Sequence, residues 1–171
     1  MVTEELRYTP RPVNHRATAV AIGLSFPAVL LFAISAVIPT NGGVMQLLGL
    51  IMLVVGLFVA YKFVLSSYTY VLTDPGDGIP CLLIEQTQGK RVSLVCRVPL
   101  RQILRISEAE KEHRSGKAYV YVATMQGGRY QYVSARTEGV DLLLKLEADE
   151  GFIAALHRDS TAARAAAAKE E

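Results

Sequence analysis

The sequence predicts an α+β membrane protein: a two-helix transmembrane hairpin, then an antiparallel β barrel or sandwich of about seven strands with a C-terminal helix. Three observations carry that expectation. No charged residue stands between Arg16 and Lys62. Past Leu65 the apolar residues recur at every second position instead of at helical spacing. Near the end, the alternating run VDLLLKLE gives way to DEGFIAAL, in which Phe152, Ile153 and Leu156 form one helical stripe.

Composition bounds the rest. A chain of 171 residues suits one compact domain plus attachments. Its apolar fraction of 51% is high for a soluble domain, and the excess lies almost wholly between Ala17 and Leu65. The formal net charge of +2 is too small for a nucleic-acid binder. Between Tyr68 and Arg158 stand 12 Lys and Arg against 11 Asp and Glu, so the polar half is close to neutral.

The first span is ATAVAIGLSFPAVLLFAISAVI, Ala17 to Ile38, and a helix of about 20 residues crosses the hydrocarbon core. Val44 to Leu65 is the second. Its polar members are Gln46 near the start and Tyr61 and Lys62 near the end, where Lys62 can snorkel and Tyr61 suits the interface. Pro39 to Gly43 joins the two, too short for anything but an antiparallel hairpin. The expected division is an N-terminal cytoplasmic segment over 1–16, the hairpin over 17–65 (spans 17–38 and 44–65), a β domain over 66–158 and an Ala-rich tail over 159–171.

Orientation follows from the flanks. Arg7, Arg11, Arg16 and Lys62 lie on the side of the two termini, and the joint carries no cation. The positive-inside rule then gives a multi-pass protein of the inner membrane with both termini in the cytoplasm. Two blander readings compete. A cleaved leader ending near Ala33 and Ser35 would have a shorter apolar run and no second span behind it. Buried helices of a soluble bundle would show a polar face, and neither run has one.

Small residues fall on one stripe of each run: Ala17, Ala21, Ser25, Ala28 and Ser35 in the first, Gly49, Gly56 and Ala60 in the second. Such spacing lets two backbones approach closely in lipid, so Ala21, Ser25, Ala28, Gly49, Gly56 and Ala60 are the expected helix–helix contacts. Pro27 should kink the first helix. A transport or ion site there would need an ionisable group at mid-membrane depth, and the sequence offers none.

In the polar half, YTYVLT (Tyr68 to Thr73) is the first predicted strand. The turn DPGDG follows. IPCLLIEQ and KRVSLVCRV then form a hairpin around TQG, with Gly89 left-handed, Ile84 opposite Val92 and Leu82 opposite Leu94. In that register Val92, Leu94, Cys96 and Val98 line one face. LRQILRIS is the fourth strand, and EAEKEHRSGK an exposed loop. AYVYVATM and RYQYVSA form a second hairpin across which Tyr119/Tyr121 and Tyr130/Tyr132 can stack. VDLLLKLE is the last strand, and Asp149 the N-cap of a helix starting at Glu150.

This layout resembles the bacterial pleckstrin-homology-like small membrane proteins. The resemblance runs from about Arg16 to His157 and is carried by YTYVLTD, LLIEQTQGKRVSLVCRV, PLRQILRI and LLLKLEADEGFIAAL. It implies a partly open barrel of seven strands capped by a C-terminal helix, and little chemistry, because most members have no known function. Eukaryotic lipid-binding relatives hold inositol phosphates with Lys and Arg around the first hairpin. Here that hairpin is TDPGDGIP, and Asp74 and Asp77 would repel a phosphate, so no phosphoinositide-binding residue is carried over.

Nothing in the sequence reads as catalytic. Cys81 and Cys96 have opposite parity in the predicted hairpin and read as packing residues. His15, His113 and His157 sit in separate segments, with no nucleophile elbow, phosphate loop or metal-ligand pair beside them. No catalytic residue, metal or cofactor is therefore expected. Lys90, Arg91, Arg97, Arg101 and Arg105 could form a basic edge facing anionic lipid. The expected function is a non-enzymatic, membrane-tethered module that binds a protein partner or another copy of itself at the inner membrane face. The alternatives are a lipid-surface reader using the basic edge and an accessory subunit using the helical hairpin. The expected partners are the bilayer and a protein, with neither nucleic acid nor a small-molecule substrate.

Overall fold

The computed structural model describes residues 5–10, 15–37, 42–74, 78–109, 117–124, 129–137 and 139–170. The predicted joint at Pro39, most of the DPGDG turn, the centre of the charged loop with His113, and the QGG turn therefore lie outside the described residues. The chain forms two compact units, one helical, mainly residues 12–66, and one β-rich, from the N-terminal residues and those after Ser66.

In the helical unit, α1 (His15–Val37) and α2 (Gly42–Phe63) pack side by side, and both are long and apolar enough to cross a membrane. Their apolar side chains point outward on every side. Ile22, Phe26 and Val29 of α1 and Leu47, Val54 and Phe58 of α2 are all more than half exposed. α1 runs on through Pro27 as one helix. The last carbonyls of α2 find partners: the Val64 and Leu65 N–H groups donate to Ala60 O at 2.9 and 3.0 Å, and Ser66 Oγ donates to Tyr61 O at 2.9 Å.

The β unit holds two four-stranded sheets and a helix. The first sheet is a meander of β1 (Leu6–Tyr8), β2 (Ser66–Thr73), β3 (Cys81–Gln88) and β4 (Arg91–Pro99). The second contains β5 (Ile103–Ser107), β6 (Lys117–Tyr121), β7 (Gln131–Thr137) and β8 (Val140–Leu146), in the order β5-β7-β8-β6. Among the described residues the count is eight strands, where about seven were expected. The added one is β1, in a segment given no structure by its sequence. It pairs Leu6 with Leu72, Arg7 with Val71 and Tyr8 with Tyr70, antiparallel.

Two sequence readings are corrected. The β3–β4 turn is the two residues Gly89–Lys90, with Gly89 at φ +59°, so Gln88 pairs with Arg91. The register then slips between Ile84 and Glu85: Glu85 faces Leu94 and Ile84 faces Cys96, leaving Val95 as a bulge. The extra residue reverses the alternation of β4. Cys96 and Val98 share the inner face with Ile84 and Leu82, while Val92 and Leu94 turn outward beside Thr87 and Glu85. In the second sheet, β7 is already paired on both edges, by β5 and β8. β6 therefore takes the free edge of β8, parallel to it, and no β6–β7 hairpin forms. Tyr119 and Tyr121 stack on each other at 6.2 Å, and Lys145 covers Tyr130 and Tyr132 at 4.0 and 5.6 Å.

Between the sheets the chain turns a corner. After Pro99 comes a 3-10 turn (Leu100–Gln102), where a strand was expected, and Leu100 N–H donates to Pro80 O at 2.8 Å. The core is built from the inner faces of both sheets, with Tyr70, Leu82, Ile84 and Val98 from the first and Val133, Leu144 and Leu146 from the second. α3 (Glu150–Glu170) closes it with Phe152 and Leu156. Asp149 Oδ1 caps this helix by accepting Phe152 N–H at 2.7 Å.

One side chain fastens the two sheets together. The Tyr70 hydroxyl donates to Tyr121 O at 2.6 Å and accepts Glu147 N–H at 3.0 Å. Burial holds this phenol well above the ordinary tyrosine range. Tyr70→Phe removes the hydroxyl and both of its hydrogen bonds to the backbone, and should lower unfolding stability by about 1–3 kcal/mol, read by denaturant titration. Because the folded state keeps this proton where the unfolded chain loses it, stability should fall as pH rises past about 10. The variant should show a shallower fall; Tyr121, raised by burial too, leaves a remainder.

Candidate functional site

Of the residues read from sequence, the helix-packing set is the one that converges. A Cβ on Gly49 would lie 3.1 Å from Ala28 O, and one on Gly56 would lie 3.0 Å from Ser25 Oγ and 3.3 Å from Ala21 O. Ala17 and Ala28 are fully buried, and Ala60 and Phe63 pack against the group of Ala17, Ala21 and Val59. Glycine is needed at positions 49 and 56 because the facing backbone leaves no space for a side chain. Ser35 Oγ donates back to Phe32 O at 2.7 Å, so this buried hydroxyl is satisfied within its own helix.

The basic residues are spread over two sheets. Lys90 is in the β3–β4 turn. Arg91 faces Gln88, on the side of the sheet that carries the core, whereas Arg97 faces Leu83 on the opposite side. Arg101 is in the 3-10 turn, and Arg105 is on β5, in the second sheet. Spacing by four in sequence does not survive the bulge at Val95 and the corner at Pro99.

The same bulge settles the thiols. Cys81 is fully buried, on the face of Leu83 and Arg97. Its Sγ donates to Ile79 O at 3.1 Å and accepts from Arg97 Nε at 3.5 Å. Cys96 is half-buried on the core side, and burial pushes its thiol up despite a hydrogen bond with Tyr121. Both are free thiols. Among the described residues no three His, Cys, Asp or Glu side chains gather where they could hold a metal ion. His15 starts α1 and His157 lies in α3.

Sequence reasoning missed a concave feature beside α3. A cleft of about 270 Å³ lies between the second half of α3 and the chain leading into β3. Ile79, Pro80, Ala163 and Ala166 give it an apolar floor, and Asp74, Arg101 and Asp159 put charges of both signs on its rim. The Ala run in STAARAAAAKEE was read as a helix with little to bury. Nothing in that pattern tells that Arg164 would reach back from α3 to Leu104 O on the β5 edge, at 3.2 Å, and hold the helix over the corner.

Gly56→Leu drives a branched side chain into the α1 backbone and should cost about 1–3 kcal/mol of helix association, read by stepwise detergent unfolding of the full chain. Gly23→Leu is the control: a Cβ there meets nothing within 4 Å, and the same measurement should be unchanged.

No family model, curated protein or solved structure matches the chain.

Proposed function

We propose that the chain is a non-enzymatic, membrane-tethered interaction module. In this reading α1 and α2 cross the inner membrane as a hairpin. The β unit, of the pleckstrin-homology-like type, is held on the cytoplasmic face, where it binds a protein partner.

The observation that carries the reading is the β1–β2 ladder. The chain enters α1 from β1 through residues 9–14 and returns from α2 to β2 through residues 64–65. Those two strands are hydrogen-bonded neighbours, Tyr8 against Tyr70. Two helices whose flanking strands pair cannot end on opposite sides of a bilayer. Cations at Arg7, Arg11, Arg16 and Lys62, with none from Ala17 to Tyr61, make the strand side cytoplasmic. Apolar side chains exposed all round both helices support lipid as their solvent. A strand β8 that runs through three residues into a capping helix supports the pleckstrin-homology-like part. The cleft beside α3 is where we place the partner, because its mixed-charge rim and apolar floor suit a polypeptide surface. Confinement to a membrane raises local concentration, so such a module works without strong intrinsic affinity.

The full chain should stay with membranes through alkaline carbonate extraction. A membrane-impermeant maleimide should label Asn41→Cys in intact cells, and a cysteine added after Glu171 only once the cells are opened. Labelling of the C-terminal cysteine in intact cells would overturn the orientation, and release by carbonate would overturn the tether.

A further inference from the structure

The outward turn of Val92 and Leu94 has a use. We propose that the tip of the β3–β4 hairpin docks onto an anionic lipid surface, with Val92 and Leu94 entering the acyl boundary and Lys90, Arg91 and Arg97 meeting lipid phosphates. The inference rests on the tethered reading above and adds a second point of membrane contact.

Three features of the hairpin argue for it. First, Val92 and Leu94 are 58% and 56% exposed on an edge strand whose other apolar residues are largely covered. The Val95 bulge puts them there, since an unbroken strand would turn them inward with Val98. Second, every charge on the turn and on β4 is positive: Lys90, Arg91 and Arg97. The nearby acid on β3, Glu85, is across from Leu94, and Arg7 Nη1 lies 3.8 Å from its carboxylate. Arg97 shares the face of Val92 and Leu94, Lys90 is in the turn, and Arg91 is on the other face of the tip. Exposed apolar side chains beside cations are the pattern that binds an anionic bilayer. Third, a second copy of this chain fits the edge poorly. Self-pairing of β4 would lay side by side two strands whose charges are all positive, and like charges opposed across a ladder are unfavourable.

The chain contains no tryptophan, so a single introduced Trp is an unambiguous reporter. Full-length Leu94→Trp, and Val92→Trp as a second reporter, would be reconstituted in vesicles of phosphatidylcholine with or without phosphatidylglycerol. Quenching would be measured with brominated acyl chains and with aqueous acrylamide. In anionic vesicles the brominated lipid should quench both reporters and acrylamide should reach them poorly. Neutral vesicles or high salt should reverse this. Lys90→Gln and Arg91→Gln should each lower the docked-to-undocked ratio roughly five-fold. Leu50→Trp, on α2, reports the tether separately. Quenching of Leu50→Trp but of neither tip reporter in anionic vesicles overturns the docking alone. No lipid quenching of Leu50→Trp overturns the tether. Tip reporters shielded from acrylamide without lipid quenching would mean that a protein surface covers the patch, and would also overturn the proposal.

Discussion

The β unit depends on where one phenol sits. Tyr70 stands opposite Tyr8 of β1, with the rings 6.3 Å apart and nearly parallel, and lies 6.0 Å from Phe152 of α3. Its hydroxyl reaches past the core to Tyr121 O at the end of β6 and Glu147 N–H at the end of β8. It therefore joins the N-terminal strand, both sheets and the closing helix. The two backbone groups it satisfies flank a parallel strand pair, where no hairpin turn supplies local hydrogen bonds. Glu147 adds a second tie there, its Oε2 accepting Ala123 N–H at 3.2 Å. A buried polar link with both partners in place favours one arrangement of the sheets over slipped alternatives, because any slip strands three polar groups in the core.

The two units solve opposite packing problems. In the helical unit apolar atoms outside meet apolar atoms inside, so hydrophobicity does not drive the helices together if lipid is the solvent. Association then falls to close backbone contact, which is why Gly49 and Gly56 have no room for a side chain. In the β unit water drives burial, and the core follows the ordinary rule of inner sheet faces under a helix. Val92 and Leu94 break that rule because the Val95 bulge changes the phase of half a strand. Bulges commonly re-aim side chains at an edge and discourage unwanted strand pairing.

What the sequence told about the fold depended on the range of the signal. The two apolar runs were legible because a helix of their length needs no distant partner to declare itself. The last strand, the Asp149 cap and the helix behind it were legible from local alternation and capping chemistry. β1 was not, since three residues, LRY, carry no periodicity, and only the ladder to β2 makes them a strand. The β6–β8 pairing was not, because the Tyr-x-Tyr pattern of β6 suits either neighbour equally. The Val95 bulge was invisible for a like reason: KRVSLVCRV alternates well throughout, and the slip shows only once Gly89–Lys90 closes the turn in two residues. The cleft beside α3 needed the corner at Pro99 and the reach of Arg164, both tertiary.

The order of elements has a consequence for how the parts depend on each other. The helical pair is an insertion between two neighbouring strands, so the β1–β2 ladder closes a loop formed by residues 9–65. For a flexible chain the closure cost rises only as the logarithm of loop length, and three residue pairs would have to meet it. Two packed antiparallel helices shorten the effective loop, because they bring its ends back together whatever lies between. The seam at Gly49 and Gly56 thus supports the sheet indirectly, by returning the chain near its point of departure. Conversely, Tyr8 reaches its place against Tyr70 and Phe152 only when the loop is closed. A sheet completed by a strand from before the insertion is a sheet whose integrity reports that both helices are in place.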